Sequence, residues 1–357
     1  MVSVFAPPML AVPQTSVDFF ENHLVSLRTG ATGRAISSCA YSSPGVPNGT
    51  ADERFNSSGN LNQISAKKNR IVFLDVNPIC YAGTTRSLKS FSYWLTLLLS
   101  EVSRGDPVIA VFDGDGGNEY RRALLPSYKA QRIPFNVTLA TMRPSKYQTR
   151  TSQVIKDILK KCEIPVVRID GYEADDVVAT LTEQVRRLGY KVTIASPDKD
   201  FKQLISDDVQ MVLPIEELKR WSFYTIKHYI AQHSCHPQSD LSLRCIMGDE
   251  VDNVPGIQTI VPGFGRKTAL KLLRKHGTLE NLLNAAAMRT VAKQYAQDAL
   301  TKHAGFLRKN YQVLALRRDV NIQLNEEWLS ERNKVKDKSA ISTILGTLEG
   351  HDSSCII

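Results

Sequence analysis

Carboxylates carry the chemistry that stands out in this 357-residue chain. Asp75 closes the run IVFLD, Asp113 closes IAVFD, and Asp198 and Asp200 follow VTIAS; Glu173, Asp175 and Asp176 come directly after VVRIDGY. Taken singly, each has a structural explanation. First-turn acids cap helices and complement their dipoles, and an Asp after a strand is often a turn residue. Convergence argues for more. Two bare carboxylates about 4 Å apart repel by roughly 4 kcal/mol at an effective dielectric of 20, so seven in one crevice require bound cations. Oxygen donors without His or Cys select Mg²⁺, with Mn²⁺ as a substitute, over zinc. Two such ions about 3.5–4 Å apart activate water and clamp a phosphate.

The elements that must position these acids are legible. Ile71 to Val76, Pro107 to Phe112, Ile164 to Ile169 and Lys191 to Ala195 read as strands, while Leu88, Phe91, Leu95, Leu98 and Val102 keep a helical spacing. A helix from about Glu173 to Leu188 stops at Gly189 and puts Glu173 and Asp176 on one face. The alternation predicts an α/β fold, a mostly parallel sheet flanked by helices, with ligands beyond the carboxyl ends of the strands. After about Thr225 the pattern turns helical, and 326–357 is expected to be a loose tail. Within the helical part, MGDEVDNVPGI brings Asp249 and Asp252 up to a Gly- and Pro-rich turn, and PGFGRKTALKLL opens a helix near Arg266. Backbone N–H groups at such a start bind phosphate, with Arg266 and Lys267 adding charge. The spacing is not that of a Walker motif, which argues against a nucleoside triphosphate.

Lys and Arg total 45 against 36 Asp and Glu, a net charge of +9 that favours a polyanionic partner such as nucleic acid. No apolar run reaches the ~18 residues a bilayer span needs, so no membrane is expected. The six cysteines are scattered without a C-x-x-C pair, as in a reducing compartment. His233, Cys235, His236 and Cys245 match no standard zinc spacing, and the Cys355-Ile-Ile end is one residue short of a prenylation box. Residues 1–66 are rich in Ser, Thr, Asn, Pro and Gly. Between Asn22 and Ala51 there is no acid, while Arg28 and Arg34 stand among Ser and Thr. That is the texture of an organelle transit peptide, or of a plain disordered tail.

The ordered set FLDVN, AVFDGDG, SYKAQR, GYEADDVVATL, ASPDKDFKQL and MGDEVDNVPG resembles the 5′→3′ exonuclease and flap endonuclease family, which includes the 5′ nuclease domain of bacterial DNA polymerase I. The resemblance runs from about Arg70 to Ile322. It implies a PIN-like catalytic domain over 67–224 with an arch or gateway at about 114–150, then a DNA-binding domain over 225–325 built on a helix–three-turn–helix. It implies that Asp75, Asp113, Glu173, Asp175, Asp176, Asp198, Asp200, Asp249 and Asp252 form the metal set. Lys129 and Arg132 are implied as the catalytic cations, and Arg121, Tyr128, Lys129 and Arg132 as the gateway for a 5′ single strand. Gly256, Gly263, Gly265, Arg266, Lys267 and Thr268 are implied to grip duplex DNA, with K⁺ held by the turn's carbonyls. The implied enzyme is a monomeric, Mg²⁺-dependent nuclease acting on 5′ flaps, nicked or branched duplex and RNA–DNA primer junctions. Its implied work is Okazaki-fragment processing and DNA repair, in a plastid or mitochondrion given the N-terminal segment.

Two departures stand out. Gln258 to Val261 are inserted into the turn, which leaves open whether it is loosened, and Val-Asn-Pro follows Asp75 where Gly-Ser is commoner. The length leaves no room for a polymerase domain, so a stand-alone nuclease is expected. The competing readings are a catalytically silent binder of branched DNA, which would be free to lose carboxylates, and an RNA-processing PIN nuclease, which would not need the Asp249 to Lys267 module.

Overall fold

The computed structural model describes residues 69–83, 85–132, 146–291 and 293–352. The chain divides into residues 1–64 and 65–357, and every described residue belongs to the second unit. The expected transit segment and arch residues 133–145 lie outside the described residues.

Strand β1 (Arg70–Asp75) runs straight into the one-turn helix α1 (Val76–Ile79), followed by the short hairpin β2 (Tyr81–Ala82) and β3 (Thr85–Arg86). Helix α2 (Leu88–Leu97), strand β4 (Val108–Phe112), helix α3 (Glu119–Leu124), helix α4 (Lys146–Lys161), strand β5 (Val166–Arg168) and helix α5 (Ala174–Arg187) come next. Strands β6 (Lys191–Ala195), β7 (Val209–Ile215) and β8 (Arg220–Tyr224) complete a six-stranded sheet of order β5-β4-β1-β6-β7-β8. All its pairings are parallel except β7 with β8. Alternate residues of β1 serve opposite faces. Val72 and Leu74 pack with Phe91 and Leu95 of α2 and Ile155 and Leu159 of α4, whereas Ile71 and Phe73 pack with Val177, Val178, Leu181 and Val185 of α5. Burial on both faces explains why these strands are nearly continuous apolar runs.

The helical part comprises α6 (Ile226–His233), α7 (Asp240–Met247), α8 (Arg266–His276), α9 (Leu279–Ala287), α10 (Gln294–Lys302) and α11 (Ala304–Leu314). Helices α7 to α11 close on a separate core containing Ile246, Ile257, Phe264, Leu282 and Leu307, while Tyr229 of α6 packs into the core of the sheet. No described helix is long and apolar enough to cross a membrane.

The expectation of a loose tail over 326–357 does not hold. Helix α12 (Lys334–Asp352) returns to the sheet, where Ala340 and Ile344 join the core under α2. Arg332 fastens the approach: its Nη2 donates to Asp337 Oδ1 at 2.6 Å and to the Cys162 carbonyl at 2.7 Å.

The turn after α7 is tight. Asp249 and Val254 exchange backbone hydrogen bonds at 2.7 and 2.8 Å, which folds the acidic segment back on itself. Gly248 sits at φ +78°, and a Cβ on Gly256 would stand 2.0 Å from the Met247 carbonyl oxygen. Gly256, expected among the DNA contacts, is therefore a buried packing position. The inserted residues do not loosen the turn either. Ile257–Thr259 forms a 3-10 turn with Ile257 fully buried, and the Ile260 and Val261 amides both donate to the Ile257 carbonyl. Gly256→Ala is expected to cost about 1–3 kcal/mol through overpacking against Met247, read as a lower urea midpoint at unchanged slope.

Candidate active site and metal centre

A cleft of about 450 Å³ opens at the carboxyl ends of the parallel strands, lined by Asp75, Asp113, Glu173, Asp175 and Asp198 together with Lys129 and Arg86. Asp75 is the last residue of β1, and its Oδ2 accepts a hydrogen bond from the Ser196 hydroxyl at 2.8 Å. Asp113 follows β4 and accepts from the Ala174 amide at 2.8 Å and from the Asn77 side chain. A carboxylate from a neighbouring strand thus satisfies an orphan amide of α5. Glu173, at the N-cap position, makes no side-chain cap. It is released to accept from Lys129 Nζ at 2.5 Å, Arg121 Nη1 at 2.7 Å and the Tyr128 hydroxyl at 3.3 Å. Asp198 does serve as a local cap, its Oδ1 accepting from the Asp200 amide at 2.9 Å.

Charge in this cleft is under-compensated by the protein. Burial, then the Asp113 charge, pushes the Asp75 carboxyl well above the usual carboxylate range. Burial and Glu173 do the same to Asp175, and burial with Asp200 lifts Asp198 to about 6. Asp175 Oδ1 is buried without a hydrogen-bond partner. An oxygen-only set lining one cleft, with an orphaned buried acceptor, fits a hard divalent cation, which would bring these carboxylates back to their charged form.

A second group, Asp200, Asp249 and Asp252, has oxygens within 4.8 Å of one another. Its electrostatics are opposite. Arg244 Nη2 donates to Asp200 Oδ1 at 2.6 Å and to Asp249 Oδ2 at 2.7 Å, and Lys199 pairs with Asp249 and lies 3.9 Å from Asp252 Oδ2. Burial works against ionisation of Asp200 and Asp249, but the cations outweigh it, Arg244 first, and both carboxyls end below their ordinary value. Asp252 moves the other way, raised by burial and by Asp200.

Several of the expected site residues are turned inward. Asp176 belongs to neither acid group: it is 1% exposed, and its carboxylate is held by Arg121 Nη1 and Nη2 at 2.9 and 2.6 Å and by the Arg317 amide at 2.8 Å. Arg121, expected to face DNA, is turned inward onto Glu173 and Asp176 and also donates to the Val313 carbonyl at 3.0 Å. Tyr128 is 1% exposed and joins the core of the helical part, so its ring has no face to offer a base. Lys129 reaches the cleft from a left-handed backbone position, φ +51°, with its amide on the Asp252 carbonyl at 3.0 Å. Arg132 ends the 3-10 turn Ala130–Arg132, and its side chain lies outside the described residues. At the hairpin, Gly263 and Gly265 have open space where a Cβ would be, and Lys267 is exposed. Arg266 donates to the His233 carbonyl at 3.2 Å, and the Thr268 hydroxyl lies 2.9 Å from that of Tyr295. Sequence reasoning missed Ser196, Asn77, Lys199 and Arg244. For Arg244 the one signal was a lone cation in α7, just ahead of Asp249.

Residues 81–233 match the family described as 5′-3′ exonuclease, N-terminal resolvase-like domain, and residues 235–337 match 5′-3′ exonuclease, C-terminal SAM fold. The chain belongs to the 5′-3′ exonuclease family. It is 34% identical over 253 residues to a 5′-3′ exonuclease of Aquifex aeolicus, covering 69% of this chain and 78% of that protein. It is 26% identical over 284 residues to the DNA polymerase I of Bacillus caldotenax, covering 76% of this chain but only 30% of that longer protein. Among solved structures, a bacteriophage T5 protein co-crystallised with metal ions superposes with TM-score 0.56 at 20% identity, covering 78% of this chain and 99% of that one. A T5 flap endonuclease in complex with DNA and metal ions superposes with TM-score 0.52, again at 20% identity, over 77% and 99% of the two chains. The 5′-3′ exonuclease family makes this chain a nuclease, with the expected α/β sheet followed by the helical, SAM-fold domain.

Proposed function

We propose that the chain is a Mg²⁺-dependent 5′→3′ exonuclease and 5′-flap endonuclease acting on DNA. The observation that carries the reading is the under-compensated cleft, in which Asp175 keeps a buried, unpartnered oxygen beside Asp75, Asp113 and Asp198. Those four side chains would hold divalent ions, which when bound supply Lewis acidity to the scissile phosphate and an activated water. The protein's own groups do the rest. Lys129 places a fixed cation at the cleft wall, where negative charge accumulates on the phosphate in the transition state. Arg121 and Lys129 hold the Glu173 carboxylate in place by direct hydrogen bonds. The open backbone at Gly263 and Gly265 and the exposed Lys267 suit the phosphates of a duplex, with K⁺ as a further ligand of that turn. Cleavage would leave a 5′-phosphate and a 3′-hydroxyl. A monomer working on flaps and RNA–DNA primer junctions in replication and repair, delivered to an organelle by residues 1–66, completes the proposal.

The test is a labelled 5′-flap DNA, a blunt duplex and a single-stranded RNA, each incubated with Mg²⁺ or with EDTA. Mg²⁺-dependent cutting of the flap, with RNA intact, is expected. Tight DNA binding with no cutting in either condition would overturn the proposal.

A further inference from the structure

We infer that Tyr120, braced by Arg317 and Tyr172, is a stacking platform for a nucleobase of the single strand that enters the cleft; the inference rests on the nuclease reading proposed above. The Arg317 guanidinium carbon lies 4.9 Å from the centre of the Tyr120 ring and 4.4 Å from that of Tyr172. Its Nη2 donates to the Tyr172 hydroxyl at 3.2 Å, and Nε and Nη2 each reach Asp319 at 3.1 Å. The guanidinium is thus oriented before any ligand arrives, and Tyr120 is held against it while remaining 42% exposed.

The place of this platform gives it a purpose. Tyr120 is one residue from Arg121 and Tyr172 one residue from Glu173, so both rings hang from the network that orders the cleft wall. The Tyr172 carbonyl also accepts from the Gly114 amide at 3.0 Å, next to Asp113, and the Arg317 amide binds Asp176. Helix α3, which carries Tyr120, leads directly to Tyr128 and Lys129. An exposed aromatic with a fixed cation is what sequence-tolerant binding of single-stranded nucleic acid requires, since every base has a π face. The aromatic expected to do this, Tyr128, is buried, whereas Tyr120 keeps an exposed ring beside a fixed cation; Tyr81, on the cleft lining, is a second exposed ring. Asp319 balances much of the Arg317 charge, so stacking rather than phosphate attraction dominates here. A base inside a duplex is already stacked on its neighbours, so the platform selects unpaired nucleotides.

The experiment uses the full chain in EDTA with two DNAs, a 5′-flap substrate carrying 2-aminopurine near the flap base and a nicked duplex of the same sequence without a flap. With wild type and Tyr120→Phe, flap binding quenches the probe. Tyr120→Ala is expected to lose the quench and to bind the flap roughly tenfold more weakly while binding the nicked duplex as wild type does. Equal losses on the two DNAs, or an unchanged quench, would overturn the platform while leaving the nuclease reading intact. If wild type binds neither DNA, the nuclease reading itself falls, and this inference falls with it.

Discussion

Asp175→Asn should raise the melting temperature of the metal-free protein and, in the same molecule, cost cleavage on the order of 10³-fold, the scale on which loss of one transition-state stabiliser acts. The two effects share a cause. Asp175 is buried beside Glu173 and Asp176, its carboxyl is pushed well up, and one oxygen has no partner. Without metal, the charge is a liability that an amide removes; with metal, it is a ligand. The pH dependence follows the same logic. Carboxyls whose folded pKa is raised bind protons more tightly in the native state, so their contribution to stability is present below about pH 4 and is lost as pH rises through the folded values, about 6 for Asp198. Added Mg²⁺ should therefore raise the wild-type melting temperature far more at pH 8 than at pH 5, and that difference should shrink in Asp175→Asn. Calorimetric scans of both proteins at the two pH values, alongside the flap assay, check this. A variant that cuts flaps at near wild-type rate would remove Asp175 from the metal site.

Arg121→Met is the second large effect, a loss of about 3–5 kcal/mol in stability. The guanidinium, 3% exposed, pairs with Glu173 and with both oxygens of Asp176, and it also ties α3 to the end of α11 through the Val313 carbonyl. Removing it strands the buried Asp176 carboxylate with only the Arg317 amide, while Glu173 keeps Lys129, and the penalty is that of an uncompensated charge rather than of one lost contact. The double variant Arg121→Met with Asp176→Leu should recover part of the loss, because it deletes the stranded charge. Urea unfolding of the two variants measures both quantities. A loss below about 1 kcal/mol for the single variant would mean that the network is solvated rather than closed.

Strands β1, β4, β5 and β6 were legible in the sequence because each is a short run rich in β-branched residues with an acid at its end or within three residues of it. The β7–β8 hairpin was not, since Pro214 and Gln210 interrupt its pattern. Proline is tolerated there because β7 pairs with β6 only over Val209 to Val212, so Pro214 faces β8 alone. Helix α12 escaped notice for a related reason: KVKDKSAISTILGTLEGHD has few apolar residues and two glycines, and its docking comes from Ala340 and Ile344 rather than from propensity. At the site, motif spacing placed the acids at the right edge but carried no information on direction. It could not show that Arg121 and Tyr128 point inward, or that Arg244 and Lys199 already neutralise the Asp200 group while the Asp175 group is left bare.

The return of α12 to the sheet has a consequence for how the enzyme is made. Asp75, at the end of the first strand, leaves the ribosome early, yet Ala340 and Ile344 are needed to finish the layer under α2. At about 5–20 residues per second, more than ten seconds of elongation separate the two events. Through that interval the nascent chain carries a sheet with one face unfinished, so the layer that backs the cleft is completed only after Ile344 has emerged.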